Sequence, residues 1–349
     1  MRPSEVKHLL ADLLEKSTDG KRRAAFIKGP PGGGKTSLPF QVAEELGIPT
    51  VFFHPVFWDP VDMRGIPMPF EKVAGRYRTR WCAPDYIPDD VVAQPRGICV
   101  IDEISQADAP MQKACAPICH EGRFGDTYLP PGWIVVATGN RKQDRAGSAR
   151  LLTHLLSRMC EIELETSLDD FQNWGQQTGS IIGEVRQYLF FQPGDLNTFD
   201  PASQEKGTDP RCWEKVSDWF PTVRESLRRE VVSGFTGAGV AAKFMAYCKY
   251  WQSLPDIKEI LAKPETAPVP TEPDVLYAVS GAIGEHCIKA ETKVLANALK
   301  YTMRLKQEFQ MLTMRNLIQF RSKDIHKLPE CMTWIRKNQD VINMAARAT

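Results

Sequence analysis

A chain of 349 residues exceeds one ordinary hydrophobic core and predicts two domains or more. With 25% charged residues, 42% hydrophobic residues and a net charge of +1, its bulk electrostatics demand neither nucleic acid nor a membrane surface. No apolar run approaches the ~18 residues that span a bilayer, the N-terminus lacks the apolar core of a signal peptide, and nine scattered cysteines show no C-x-x-C pair, which points to reduced, mostly buried thiols in a cytoplasmic protein.

Taken in order, Val6, Leu9, Leu10, Leu13 and Leu14 share one helical face over residues 4–16, with Ser4 as the expected N-cap. The apolar run Ala24 to Ile27 predicts a strand, and it feeds the stretch Gly29, Pro30, Pro31, Gly32, Gly33, Gly34, Lys35, Thr36 and Ser37. This is the spacing of a phosphate-binding loop, followed by a predicted helix to Leu46. Glycines allow consecutive backbone N–H groups to curl around a phosphate, and the helix N-terminus adds partial positive charge. Lys35 supplies a full charge to the β- and γ-phosphates, and the Thr36 hydroxyl a ligand for Mg²⁺.

Thr50 to His54 predicts the second strand. Residues 55–96 are rich in Pro, Gly and aromatics, with a short helix expected at Asp59 to Gly65 and a hairpin arm at Tyr77 to Trp81. An insertion this large in an α/β unit is usually functional. Gly97 to Ile101 predicts a buried strand ending in Asp102 and Glu103, then a helix from about Pro110 to His120. Arg123 to Gly132 reads as a small hairpin leading into the strand Trp133 to Thr138, which ends at Gly139 and Asn140. A Leu-rich helix leads to Arg158 and a last strand, Cys160 to Leu164. Strand and helix alternate, so a parallel sheet covered by helices is expected over residues 1–165. Helices dominate from residue 166, one of them opened by Asp209-Pro210-Arg211, and the Pro-rich run 263–273 reads as a linker before a helical region at 274–349.

Ligands of an open parallel sheet sit at the carboxyl ends of its strands, so Asp102 and Glu103 should face the phosphate loop. Asp102 would hold Mg²⁺, and Glu103 would orient and deprotonate the attacking water. Asn140, also at a strand end, can bond that water or the γ-phosphate without adding charge; a plain turn Asn is the alternative.

Together these residues resemble the core of an AAA+ ATPase, and more narrowly the MoxR and dynein-related group with its midasin and McrB relatives. The resemblance covers residues 20–165 and continues less specifically to about 260. It implies ATP and Mg²⁺ as ligands, a helix-2 insert at about 66–90, a hairpin at 123–131 and an α-helical lid at 166–262. It implies Asn140 as sensor 1, Arg158 as an arginine finger acting on a neighbour's nucleotide, with Arg145 and Arg150 as competitors for that role, and Arg211 as sensor 2. A hexameric ring and a protein partner carrying a von Willebrand factor A domain follow from the same resemblance. Departures from the group are Gly-Gly-Gly at 32–34 and Met159 after Arg158.

Two functions compete. One is a ring ATPase that remodels a protein partner, with Phe57, Trp58, Tyr77 and Trp81 as contact residues, local core packing being the alternative for each. The other is a nucleic-acid motor driven by ATP or GTP, suggested by Lys72, Arg76, Arg78 and Arg80 and by Arg141, Lys142 and Arg145, but not favoured by the near-neutral charge. A nucleotide-dependent switch with little turnover is the third option, against which an intact Glu103 argues.

Overall fold

The structure is a computed structural model that describes residues 1–19, 21–73, 75–88, 94–144, 151–203, 206–252, 256–288 and 290–339. The chain divides into two compact units, Met1–Trp174 with Asn197–Cys212, and Gly175–Leu196 with Trp213–Thr349. The sequence alone places the boundary at 165. The division differs because Asn197–Cys212 returns to the first unit, where Asn197 Nδ2 donates to Thr166 Oγ1 at 3.1 Å.

The first unit opens with α1 (Pro3–Lys16). Pro3 occupies the first helical position and the Arg2 N–H donates to Glu5 Oε2 at 2.8 Å, so Ser4 is not the cap. Ser4 is taken up instead by Asp170, whose Oδ2 accepts from both its N–H and its hydroxyl. Then come β1 (Ala24–Gly29), α2 (Ser37–Leu46), β2 (Thr50–Phe53) and α3 (Pro60–Arg64). Among the described residues β3 (Ile66–Val73) and β4 (Arg76–Cys82) pair only with each other, as an antiparallel ribbon. β5 (Arg96–Ile101), α4 (Ala109–Glu121), β6 (Arg123–Phe124), β7 (Thr127–Tyr128), β8 (Gly132–Asn140), α5 (Thr153–Leu156) and β9 (Cys160–Glu163) follow.

Five strands form one parallel sheet in the order β2-β5-β8-β1-β9. Both faces are covered, which is why its strands read as unbroken apolar runs. Alternate residues serve opposite cores: Phe26, Cys99, Ile101, Trp133 and Val135 face the core built with α4, while Ala25, Ile27, Ile98, Val100 and Val136 face α1 and α2. The sheet sandwiched by helices, followed by a helical part, is the fold class expected from the sequence. Because β1 lies between β8 and β9, the chain leaves it for the far edge, fills inward, and then crosses to its other side. The loop after β1 therefore stands beside the ends of β5 and β8.

The second unit is helical: the end of α6 (Leu168–Thr178), α7 (Gly183–Phe191), most of α8 (Pro210–Trp219) and, among the described residues, seven further helices. One core joins Ile283, Leu295, Leu299, Tyr301 and Trp334. The Pro-rich run at 263–273 lies inside this unit and joins no two units. Ala267 is buried there, Tyr301 donates to the Pro268 carbonyl at 2.8 Å, and Arg304 to that of Pro264 at 2.6 Å. Proline marks the break in the helices, while packing holds the segment down.

Candidate functional site

The loop after β1 is drawn tight by glycine. Gly32 and Gly34 have φ of +66° and +87°, a region open to glycine at little cost. Gly32 has a second reason to lack a side chain, since a Cβ there would lie 2.2 Å from Asp209 Cγ. Lys35 is buried at 5% exposure, and its Nζ donates to the carbonyls of Gly29 at 3.2 Å and Pro30 at 2.9 Å. It also donates to Asn140 Oδ1 at 2.8 Å. Burial pulls the Lys35 ammonium below the usual lysine range, opposed chiefly by the charge of Glu103, while Arg211 adds to the depression.

β5 and β8 present the acidic half. The register sets Ile101 beside Phe53 and Ala137, and Gly29 beside Asn140. Asp102 Oδ1 accepts from the Thr36 and Thr138 hydroxyls, both at 2.6 Å. Glu103 follows in the left-handed region, φ +51°, the one non-glycine so placed among the described residues. Its N–H donates to Thr138 Oγ1 at 3.1 Å, and its Oε2 accepts from Asn140 Nδ2 at 3.2 Å and Gln106 Nε2 at 2.8 Å. Asn140 is thus the middle of a line, accepting from Lys35 and donating to Glu103. Its own N–H is held by Ser105 Oγ at 3.3 Å.

Lys35, Thr36, Asp102, Glu103 and Asn140 are therefore brought together, and Arg211 stands close enough to act electrostatically on Lys35. Arg158 stands elsewhere. It is exposed, its guanidinium donates to the His154 carbonyl at 2.5 Å, and it acts on Cys119 and Glu121 near the end of α4. Arg145 and Arg150 lie outside the described residues, as do the last positions of the 66–90 insert. Phe57 and Tyr77 are exposed, whereas Trp58 packs edge-on against Phe53 with ring centroids 5.3 Å apart.

Four residues escaped the sequence reading. Thr138 links Asp102 to the Glu103 backbone, and its signal was a hydroxyl inside an otherwise apolar strand. Ser105 holds the Asn140 backbone. His54, at the end of β2, points Nε2 toward Asp102 Oδ2 at 3.9 Å, with its ring 4.5 Å from that of Phe57. Asp209 caps α8, accepting from Cys212 N–H at 2.8 Å, while covering Gly32.

The arrangement can hold a polyphosphate on the loop amides and Lys35, a divalent cation between Thr36 and Asp102, and a water against Glu103. The donor set suits Mg²⁺, which takes one or two protein oxygens and completes its shell from phosphates and water. Among the described residues no group of three His, Cys, Asp or Glu side chains could hold a metal, and no helix is long and apolar enough to cross a membrane.

No family model matches the chain, and no curated protein matches it. Among solved structures it is similar to the RuvB Holliday junction branch migration motor of Thermotoga maritima, at 15% identity over 80% of this chain and 81% of that one, TM-score 0.34. It is similar to a DNA polymerase III gamma subunit-related protein of Thermotoga maritima, at 10% identity over 95% and 96%, TM-score 0.34. NtrX from Brucella abortus in complex with ADP is a third, at 14% identity over 95% and 67%, TM-score 0.36. Likenesses this loose add nothing to what the sheet order and the site's own geometry establish.

Proposed function

We propose that this chain is a nucleoside triphosphatase of the AAA+ class, hydrolysing ATP with Mg²⁺ and spending the turnover on remodelling a protein partner. The observation that carries the reading is the hydrogen-bonded line Lys35–Asn140–Glu103 beside the Thr36–Asp102 pair. A buried ammonium, a neutral amide and a carboxylate in that order suit a reaction that binds phosphate at one end and removes a proton from water at the other.

Each residue then has a task. The amides of residues 32–36 and the Lys35 ammonium bind the β- and γ-phosphates. Thr36 and Asp102 are the cation ligands, and bound Mg²⁺ would neutralise charge on the phosphate oxygens. Glu103, steadied by Asn140 and Gln106, accepts the proton of the attacking water. Asn140 fixes that water with an uncharged group, so it does not repel the phosphate. Arg211 adds a second positive charge from the segment that carries Asp209.

Arg158 is the arginine finger in this reading, and its exposure away from Lys35 supports action on a neighbouring subunit. A hexameric ring of MoxR type, with a partner carrying a von Willebrand factor A domain, is the form that the motif set favours. Three arginines on β4 keep a nucleic-acid motor as the second reading.

Phosphate release by the full chain with ATP and with GTP, across protein concentration, tests the proposal. Turnover should require Mg²⁺, rise more than linearly with concentration, and vanish in Lys35→Ala. A well-folded wild-type chain that binds neither nucleotide by calorimetry would overturn it.

A further inference from the structure

The β3–β4 ribbon stands outside the main sheet with both faces exposed, and a two-stranded ribbon is at best marginally stable in water. Its register pairs Ile66 with Cys82, Met68 with Arg80 and Phe70 with Arg78, alternating with Pro67–Trp81, Pro69–Thr79 and Glu71–Tyr77. Proline has no N–H to give, so Pro67 and Pro69 can stand only where the backbone polar groups point away from the partner strand. The inward bonds therefore fall at 66–82, 68–80 and 70–78, and the backbone of Tyr77, Thr79 and Trp81 points outward from β4. The Trp81 N–H confirms this direction, because it leaves the ribbon and donates to Asp126 Oδ2 at 3.1 Å.

The two edges are consequently unlike. The β3 edge lacks two donors, which closes it to strand addition. The β4 edge offers the N–H and C=O of Tyr77 and of Thr79, and stops where Asp126 occupies Trp81. Side chains divide by the same parity. Arg76, Arg78 and Arg80 share one face, and none has an ion-pair partner among the described residues. Tyr77, at 71% exposure, shares the other face with Thr79 and Trp81.

We propose that the outer edge of β4 takes up an extended segment of a protein partner as a third strand, and that this segment alternates acidic with apolar side chains. The acidic residues lie beside Arg78 and Arg80 on one face, and the apolar ones beside Tyr77 and Thr79 on the other, as cross-strand pairs. A DNA strand could neutralise the arginines, but its deoxyribose-phosphate backbone carries only acceptors and cannot answer the outward carbonyls of Tyr77 and Thr79. The inference deepens the protein-remodelling reading by naming the chemistry of the remodelled segment, and its test contains no nucleotide, so loss of hydrolysis and loss of docking are separate results.

The probe is a fluorescently labelled peptide of alternating Glu and Val, titrated with the full chain and followed by anisotropy. Saturable binding is expected. N-methylation of the set of alternate amides that faces β4 should weaken it roughly tenfold or more, while methylation of the other set should leave it nearly unchanged. Thr79→Pro, at a position equivalent to that of Pro69 on the opposite strand, and the pair Arg78→Glu with Arg80→Glu should each weaken it likewise. The proposal is overturned by no binding, by equal binding of an isomer with Glu and Val in separate blocks, by equal effects of the two methylation patterns, or by tighter binding of an oligothymidylate of equal charge. The methylated peptides use the unaltered protein, so the result does not depend on a variant folding.

Discussion

The Lys35 ammonium donates to the Asn140 amide oxygen at 2.8 Å, so the phosphate-loop cation and the strand-end amide are one unit before any nucleotide arrives. Replacing the amide by a carboxylate, Asn140→Asp, gives Lys35 an ion-pair partner that competes with phosphate, and sets a second negative charge beside Glu103. Nucleotide affinity should fall about tenfold or more, and the acid limb of the pH–rate profile should move to higher pH. Asn140→Ala should instead keep most of the affinity and lose rate. Calorimetry and a pH series distinguish the two.

Glu103→Gln should bind nucleotide and fail to turn it over. The amide keeps the size of the side chain and cannot take the proton from water, so hydrolysis should drop by at least about 10². Retention of bound ATP by this variant is read directly by filter binding. Undiminished phosphate release would move the base to another residue.

Thr138 supports two acidic residues with one hydroxyl, donating to Asp102 and accepting from the Glu103 N–H. Thr138→Val keeps the shape and leaves that N–H without its partner, which costs about 1–3 kcal/mol. The urea midpoint should fall accordingly, and hydrolysis should fall while Thr138→Ser restores both. A Thr138→Val protein with unchanged rate would reduce the hydroxyl to a structural detail.

Nucleotide affinity should decline at alkaline pH sooner than an ordinary lysine would dictate. Burial lowers the Lys35 pKa in the free protein, and phosphate binds the protonated form. Above the lowered value, binding must take up a proton, so affinity drops by up to about tenfold per pH unit. Calorimetry in two buffers of different ionisation heat measures that uptake. Lys35→Arg, always charged, should bind with little dependence over the same interval.

Arg158 offers a test of assembly. Where a finger has been removed from related NTPases the loss is roughly 10³–10⁵ in rate. Arg158→Ala should bind ATP almost normally and hydrolyse it poorly. An Arg158→Ala subunit keeps its own Glu103, and a Glu103→Gln subunit keeps its own finger, so mixing the two inactive variants should restore activity at mixed interfaces. No recovery, with subunit exchange shown independently, would count against action between subunits.

The placement of the candidate residues was legible where chemistry and spacing coincide. Gly29 to Thr36 carries its own pattern, and the apolar runs before Asp102 and Asn140 announce strands buried on both faces, which set those residues at the same end of the sheet. Thr138 and Ser105 were not legible, because a hydroxyl in or near a strand has no spacing rule and acts only once its neighbours are in place. Asp209 was hidden by its own neighbour: Asp-Pro-Arg drew attention to the arginine, while the aspartate both caps α8 and covers Gly32. Composition misled at 263–273, since clustered proline disfavours a helix interior but says nothing of whether the carbonyls around it will be bonded, as those of Pro264 and Pro268 are.

The backbone of Glu103 carries a lesson for anyone who would improve this protein by selection. A residue with a Cβ held at φ +51° stores about 1–3 kcal/mol of strain that glycine would release. Heating a library and keeping the survivors would therefore favour Glu103→Gly wherever that relief exceeds the two hydrogen bonds its carboxylate accepts, removing the carboxylate assigned the water's proton. Heat resistance and turnover pull in opposite directions at this one position, so a hardened descendant should be chosen by phosphate release at the end of each round, with Glu103 left unrandomised.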